Sequence, residues 1–93
     1  MNVLLIDDEP AAITALRSLL TENFPTVEIL GTAANVCEGL QQIDRLRPKL
    51  IFLDVEMPGG SGFDLLRRLP TTDRPEVIFV TSKEEYALRA IQA

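Results

Sequence analysis

The 93-residue sequence contains no histidine, a single cysteine and no long apolar run, and each shortage removes a class of function. Without histidine there is no Ser-His-Asp or Cys-His nucleophile and none of the usual zinc sites. A lone Cys37 cannot close an internal disulfide. With no histidine to activate it, it reads as an inert, small apolar side chain near a helix start. No stretch approaches the ~20 apolar residues of a membrane span. Met1 runs directly into Val3-Leu4-Leu5-Ile6 with no basic leader or cleavage site, so an unexported, cytoplasmic protein that does not engage a membrane is expected. Basic residues are also outnumbered, nine against fourteen acidic, for a net charge of −5. Arg45, Arg47, Lys49, Arg67 and Arg68 are scattered and form no nucleic-acid footprint, so contact with DNA requires a separate output segment.

What remains is one small domain with a single core, at 46% hydrophobic content. Three wholly apolar runs stand out: Val3-Leu4-Leu5-Ile6, Leu50-Ile51-Phe52-Leu53 and Val77-Ile78-Phe79-Val80. Such runs suit strands buried on both faces. Val27 to Thr32 alternates only in part, with Leu30 breaking the pattern and Gly31 weakening it, as expected of an edge strand. Between the strands lie helical periods. Pro10 opens the first, with Ile13, Leu16 and Leu20 inward and Leu19 widening the stripe. Asn35 caps the second, Glu38 completes a capping-box variant, and Val36, Leu40, Ile43 and Leu46 form its stripe before Pro48. Phe63, Leu65, Leu66 and Leu69 mark a short third helix ending before Pro70. A fourth runs from Glu84 to the end, with Ala87, Leu88 and Ile91 inward.

Strand and helix thus alternate four times. This predicts an α/β, doubly wound parallel sheet with right-handed crossovers and helices on both faces. In such sheets the working crevice lies beyond the carboxyl ends of the strands, where strand order reverses. Asp7 and Asp8 end the first strand, Asp54 ends the third and Thr81 ends the fourth, so all four are expected on one rim. A carboxylate placed straight after four apolar residues needs hydrogen bonds, a cation or a reacting partner. Three together repel one another and raise their pKa values unless a cation sits between them. Hard oxygen donors of this kind point to Mg²⁺, with Asp8 as direct ligand and Asp7 acting through water. A carboxylate beside that ion can also attack phosphorus and form an aspartyl-phosphate. Thr81 offers a hydroxyl to a phosphoryl oxygen, and Gly59, Gly60 and Gly62 are expected to turn the following loop at φ > 0. The competing structural role for Asp8 is a cap on the helix that opens near Pro10.

Asp7-Asp8-Glu9, the strand-end Asp54 followed by Met57-Pro58-Gly59 and Gly62, and Val80-Thr81-Ser82 together resemble the receiver domain of two-component response regulators. The resemblance covers residues 1–93 and implies a flavodoxin-like sheet in the order 2-1-3-4. Phe79-Val80-Thr81 followed by Glu85-Tyr86-Ala87-Leu88 is similar to receivers that precede a LytTR-type DNA-binding domain. The resemblance implies Asp54 as phosphoacceptor, Thr81 as switch hydroxyl, and Asp8, Asp7, Asp54 and the Glu56 backbone carbonyl around Mg²⁺. It implies a sensor histidine kinase or phosphotransfer protein as donor, and an output that regulates transcription. The family's fifth strand, the lysine at its end and the last helix have no counterpart in these 93 residues. Lys83 stands near the rim, whereas Lys49 starts its strand and falls at the wrong end of the sheet. The fourth strand is then expected as an open edge, covered by further chain or by a second copy in a homodimer. Two rival functions share these residues. One is a pseudo-receiver that binds protein without phosphorylation; the other is a Mg²⁺-dependent phosphatase or phosphotransferase acting on external substrates.

Overall fold

A computed structural model describes residues 1–57 and 59–80, so Thr81, Lys83 and the expected fourth helix lie outside the described residues. The elements run β1 (Asn2–Ile6), α1 (Pro10–Asn23), β2 (Glu28–Ala33), α2 (Val36–Leu46), β3 (Leu50–Asp54), β4 (Glu56–Met57), β5 (Gly60–Ser61), α3 (Gly62–Arg68) and β6 (Glu76–Val80). The main sheet has the order β2-β1-β3-β6 with every neighbouring pair parallel. This is the expected 2-1-3-4 arrangement once the two-residue strands β4 and β5 are set aside. Those two pair antiparallel in a small ladder of their own, which the glycine-rich sequence did not announce.

The unbroken apolar runs follow from burial on both faces. Leu4, Ile6, Ile51 and Leu53 join α2 and α3 residues in one core cluster, while Val3, Leu5 and Leu50 meet Leu20, Ile13 and Leu16 of α1 in another. Alternate residues of a strand point to opposite faces, so one run supplies both cores. Fully burying each such side chain contributes roughly 1.5–3 kcal/mol, which locks the register of β1 against β3. Leu19 departs from expectation: it is 54% exposed and does not widen the buried stripe of α1. One aliphatic row is enough to cover the β1–β2 side, and the next residue around the helix faces water.

Local chemistry sets the element ends. Pro10 sits in the first turn of α1, as expected, and the N-cap is Glu9, whose side chain makes no cap. Along β2, Val3 pairs with Ile29 but Leu4 with Gly31, so Leu30 is the extra residue of a bulge and the broken alternation has a structural cause. Asn35 accepts from the Glu38 N–H at 2.8 Å, and the Glu38 carboxylate accepts from the Ala34 N–H at 3.0 Å. The reciprocal bond therefore lands one residue before the cap. Arg47 closes α2 in the left-handed conformation (φ 51°), and Pro48 follows. On the far side β6 forms an edge of the described sheet, with Val77 and Phe79 against the α2–α3 cluster and Ile78, on the opposite face, 46% exposed.

The cap on α2 gives a direct check of this account. Asn35→Ala is expected to lower the unfolding free energy by about 1 kcal/mol, read as a lower urea midpoint with an unchanged m-value.

Candidate functional site

The sheet order reverses between β1 and β3, because the chain leaves β1 for β2 on one side and returns past it to β3 on the other. The carboxyl ends of β1 and β3 are therefore adjacent, and each ends in aspartate. Ile6 pairs with Leu53, which puts Asp7 and Asp54 side by side at the next position. Asp7 is half-buried, and Asp8 is exposed in a bend. That bend resolves how two consecutive side chains can serve one site, since a continued strand would send them to opposite faces. The Asp7 carboxylate accepts from the Glu9 N–H at 2.9 Å, an Asx turn that leads the chain into α1. Asp8 does not cap that helix: Glu9 occupies the cap position and α1 has no side-chain cap bond.

One carboxylate oxygen from each of Asp7, Asp8 and Asp54 lies within 4.8 Å of the others. At such separations, like charges near a protein surface repel by up to about 4 kcal/mol. The Asp54 carboxyl is pushed up to about 6, first by burial, then by the charge of Asp7 and, less, of Asp8. The backbone N–H groups of Val55 and Glu56 donate towards it and pull the other way. The donors at this site are all oxygens, with no nitrogen or sulfur, and the excess is negative. That combination fits a hard divalent cation such as Mg²⁺.

The loop after Asp54 holds this geometry. Val55 and Met57 are buried, at 1% and 9% exposure, and anchor the chain on either side of the exposed Glu56. Glu56 presents its backbone N–H to the Asp54 carboxylate. Gly59 (φ 82°) and Gly60 (φ 156°) make the expected positive-φ turn, but Gly62 does not. Gly62 is instead the first residue of α3 and is needed for space. A Cβ there would overlap the Asp54 carbonyl oxygen and lie 3.1 Å from both Leu53 Cγ and Phe79 Cε1. Sequence reasoning also missed the Ser61 cap of α3, a full capping box with Asp64, although Ser61 and Asp64 stand at the right spacing. Asp64 pairs as well with Arg67, which ties its charge to the helix rather than to the site. A separate cleft of about 570 Å³ opens at the other end of the sheet, between the end of α2 and the loop before β6. Its Arg47, Lys49 and Arg74 are balanced by Asp44, Asp73 and Glu76, and none of the three site aspartates reaches it.

An acidic triad at the switch point of a parallel α/β sheet is the arrangement expected of the receivers, a class of small signalling domains. The comparisons agree: the family described as response regulator receiver domain matches residues 3–93, and the chain belongs to it. An uncharacterized response regulatory protein of Vibrio cholerae is 45% identical over 92 residues, covering 99% of this chain and 38% of the relative. Transcriptional regulatory protein BtsR of Escherichia coli K12 is 39% identical with the same coverage. The chain thus spans about two-fifths of the length of these relatives. Among solved structures, the response regulator domain of Thermotoga maritima CheB superposes with a TM-score of 0.79 at 29% identity, covering 96% of this chain and 71% of that one. The response regulatory domain of Klebsiella pneumoniae mrkE reaches a TM-score of 0.85 at 26% identity, covering 99% and 75%.

The raised Asp54 carboxyl predicts a pH signature. Its native value of about 6 lies above the ordinary 3.8, so the native state binds the extra proton between these values. Stability therefore falls as pH rises from about 4 to 6 in the absence of divalent ions, and the penalty is complete above that window. Asp54→Asn is expected to raise the unfolding free energy at pH 7.5 by about 1 kcal/mol, a figure discounted for the partial exposure of the group. The gain is expected to vanish near pH 4, measured by urea melts in EDTA across the range.

Proposed function

We propose that this domain accepts a phosphoryl group on Asp54 from a phosphohistidine of a sensor kinase or phosphotransfer protein in the cytoplasm. The observation that carries the reading is the convergence of Asp7, Asp8 and Asp54 at the switch point. An Asp54 carboxylate oxygen attacks phosphorus, the P–O bond forms as the donor's P–N bond breaks, and the leaving imidazole takes up a proton. Asp8, Asp7, Asp54 and the Glu56 backbone carbonyl would hold Mg²⁺, with Asp8 as the direct ligand and Asp7 acting through water. When bound, the ion neutralises charge that develops on the transferring oxygens. The amides of Val55 and Glu56 already donate towards the Asp54 carboxylate and orient it for attack.

The product carries more negative charge than the carboxylate it replaces, at the end of the strand beside β6. Thr81, which follows directly in sequence, donates its hydroxyl to a phosphoryl oxygen and transmits the change to the segment beyond it. A chain of the relatives' length has room for an output domain. The name of the BtsR relative supports transcriptional regulation as its task.

Incubation with acetyl phosphate and Mg²⁺, followed by intact mass measurement, tests the proposal. One added phosphoryl group per chain is expected, absent in Asp54→Asn and absent in EDTA. No adduct on wild type favours the pseudo-receiver, and sustained turnover of a phosphomonoester favours the phosphatase. Because protons compete with the cation for an Asp54 carboxyl near 6, apparent Mg²⁺ affinity is expected to drop by roughly tenfold per pH unit well below that value.

A further inference from the structure

Gly62 donates its backbone N–H to the Val55 carbonyl at 2.7 Å, which ties the first residue of α3 to the residue after the acceptor. Its Cα sits so close to Asp54 that no side chain fits between them, and the Phe79 ring edge walls the same space on the other side. Phe79 in turn stacks on Phe63, with ring centroids 4.9 Å apart and planes inclined by 42°. Across the ladder Phe79 pairs with Leu53, and Val80 pairs with Asp54. The contacts thus close on themselves: the Asp54 main chain, Gly62 and Phe63 of α3, Phe79 of β6, and back through the β3–β6 ladder to Asp54.

We propose that Phe79 is a positioning residue, whose ring, braced on Phe63, presses the start of α3 against the Asp54 carbonyl and so sets the spacing of Asp54 from Asp7 and Asp8. The inference rests on the Mg²⁺ reading given above. Mutual repulsion drives the three carboxylates apart, so Asp54 holds its place only if its backbone is restrained from behind. The amides of Val55 and Glu56 restrain the carboxylate, but they directly follow Asp54 in the chain and shift with its backbone. The Gly62–Val55 hydrogen bond ties that loop to α3, and the aromatic pair joins α3 to β6; a tilted pair of this kind is worth ~0.5–1.5 kcal/mol beyond area burial. Simple core filling is the alternative role. Val77 supplies the comparison, since it lies on the same face of β6 and packs on the same cluster, two residues farther from the rim.

The test compares Phe79→Leu, Phe63→Leu and Val77→Ala with wild type, using Mg²⁺ affinity at pH 7.5 and hydrogen exchange of the Gly62 amide. Outer-shell partners of metal sites typically change affinity by about 10–100-fold. Both ring variants are expected to weaken Mg²⁺ binding by about tenfold and to speed Gly62 exchange, scored after matching to global stability. Val77→Ala is expected to lower the unfolding midpoint while leaving both readouts near wild type. If wild type binds Mg²⁺ and the ring variants bind it equally well, the positioning role is overturned. If wild type itself fails to bind Mg²⁺, the metal reading falls, and unchanged Gly62 exchange in the ring variants overturns the brace independently. Should Phe79→Leu fail to fold, the half-buried Phe63→Leu carries both measurements alone.

Discussion

Three carboxylates that repel one another are held together at the end of two neighbouring strands, and the rest of the domain can be understood as what holds them there. The parallel ladder of β1 and β3 brings Asp7 and Asp54 to the same level. A bend after Asp7 then adds Asp8. Neither step favours a charged Asp54, whose carboxyl is pushed up first by its burial and then by the charges of Asp7 and Asp8. The cost is offset by apolar burial below. Val3, Leu4, Leu5, Ile6, Ile51 and Leu53 are each no more than 1% exposed, and a slip in register would disturb the packing of both core clusters at once. The charged rim is thus fixed by an uncharged foundation.

The two faces of the sheet contribute differently. On the α1 side the core is small and leaves Phe52 and Ile78 less covered among the described residues. On the other side α2 and α3 pack tightly, and the first residue of α3 lies against the Asp54 main chain. The denser face is therefore the one that governs where Asp54 sits. Met57 is buried in that same cluster, so even the short β4–β5 ladder is anchored to it.

Much of this was legible in the residues. Continuous apolar runs ending in aspartate specified parallel strands and their rim, because burial on both faces leaves no polar alternation and a carboxylate marks the point where the chain meets water. Asn35 with Glu38 and Pro10 at a helix start were readable from local chemistry alone. Leu19 was not, since helical spacing gives a face but not how wide a stripe the neighbouring strands can bury. Gly62 was misread for a related reason. A glycine beside two others in a turn suggests positive φ, whereas its real constraint is the distance to Asp54 across space, a tertiary fact with no local signature. The Phe63–Phe79 pair likewise joins residues far apart in sequence.

The same repulsion that burdens the native state gives the site its responsiveness. A well-satisfied acidic cluster would gain little from a cation, because its charges would already be neutralised by fixed hydrogen bonds or by arginine. Here Arg67 of α3 is engaged by Asp64 at the helix start, and the amides at Asp54 offset only part of its burial and charge. Any ligand that supplies positive charge to the native state alone is therefore bound with the relief of that repulsion added to its own contacts, and stabilises the fold by mass action. The phosphoryl transfer to the Asp54 carboxylate proposed above would move the balance again in the negative direction, at the strand end joined by the ladder to Val80. A site kept electrostatically unsatisfied by rigid packing can thus convert a change in bound charge into a change in force on β6, which a relaxed and neutral site could not do.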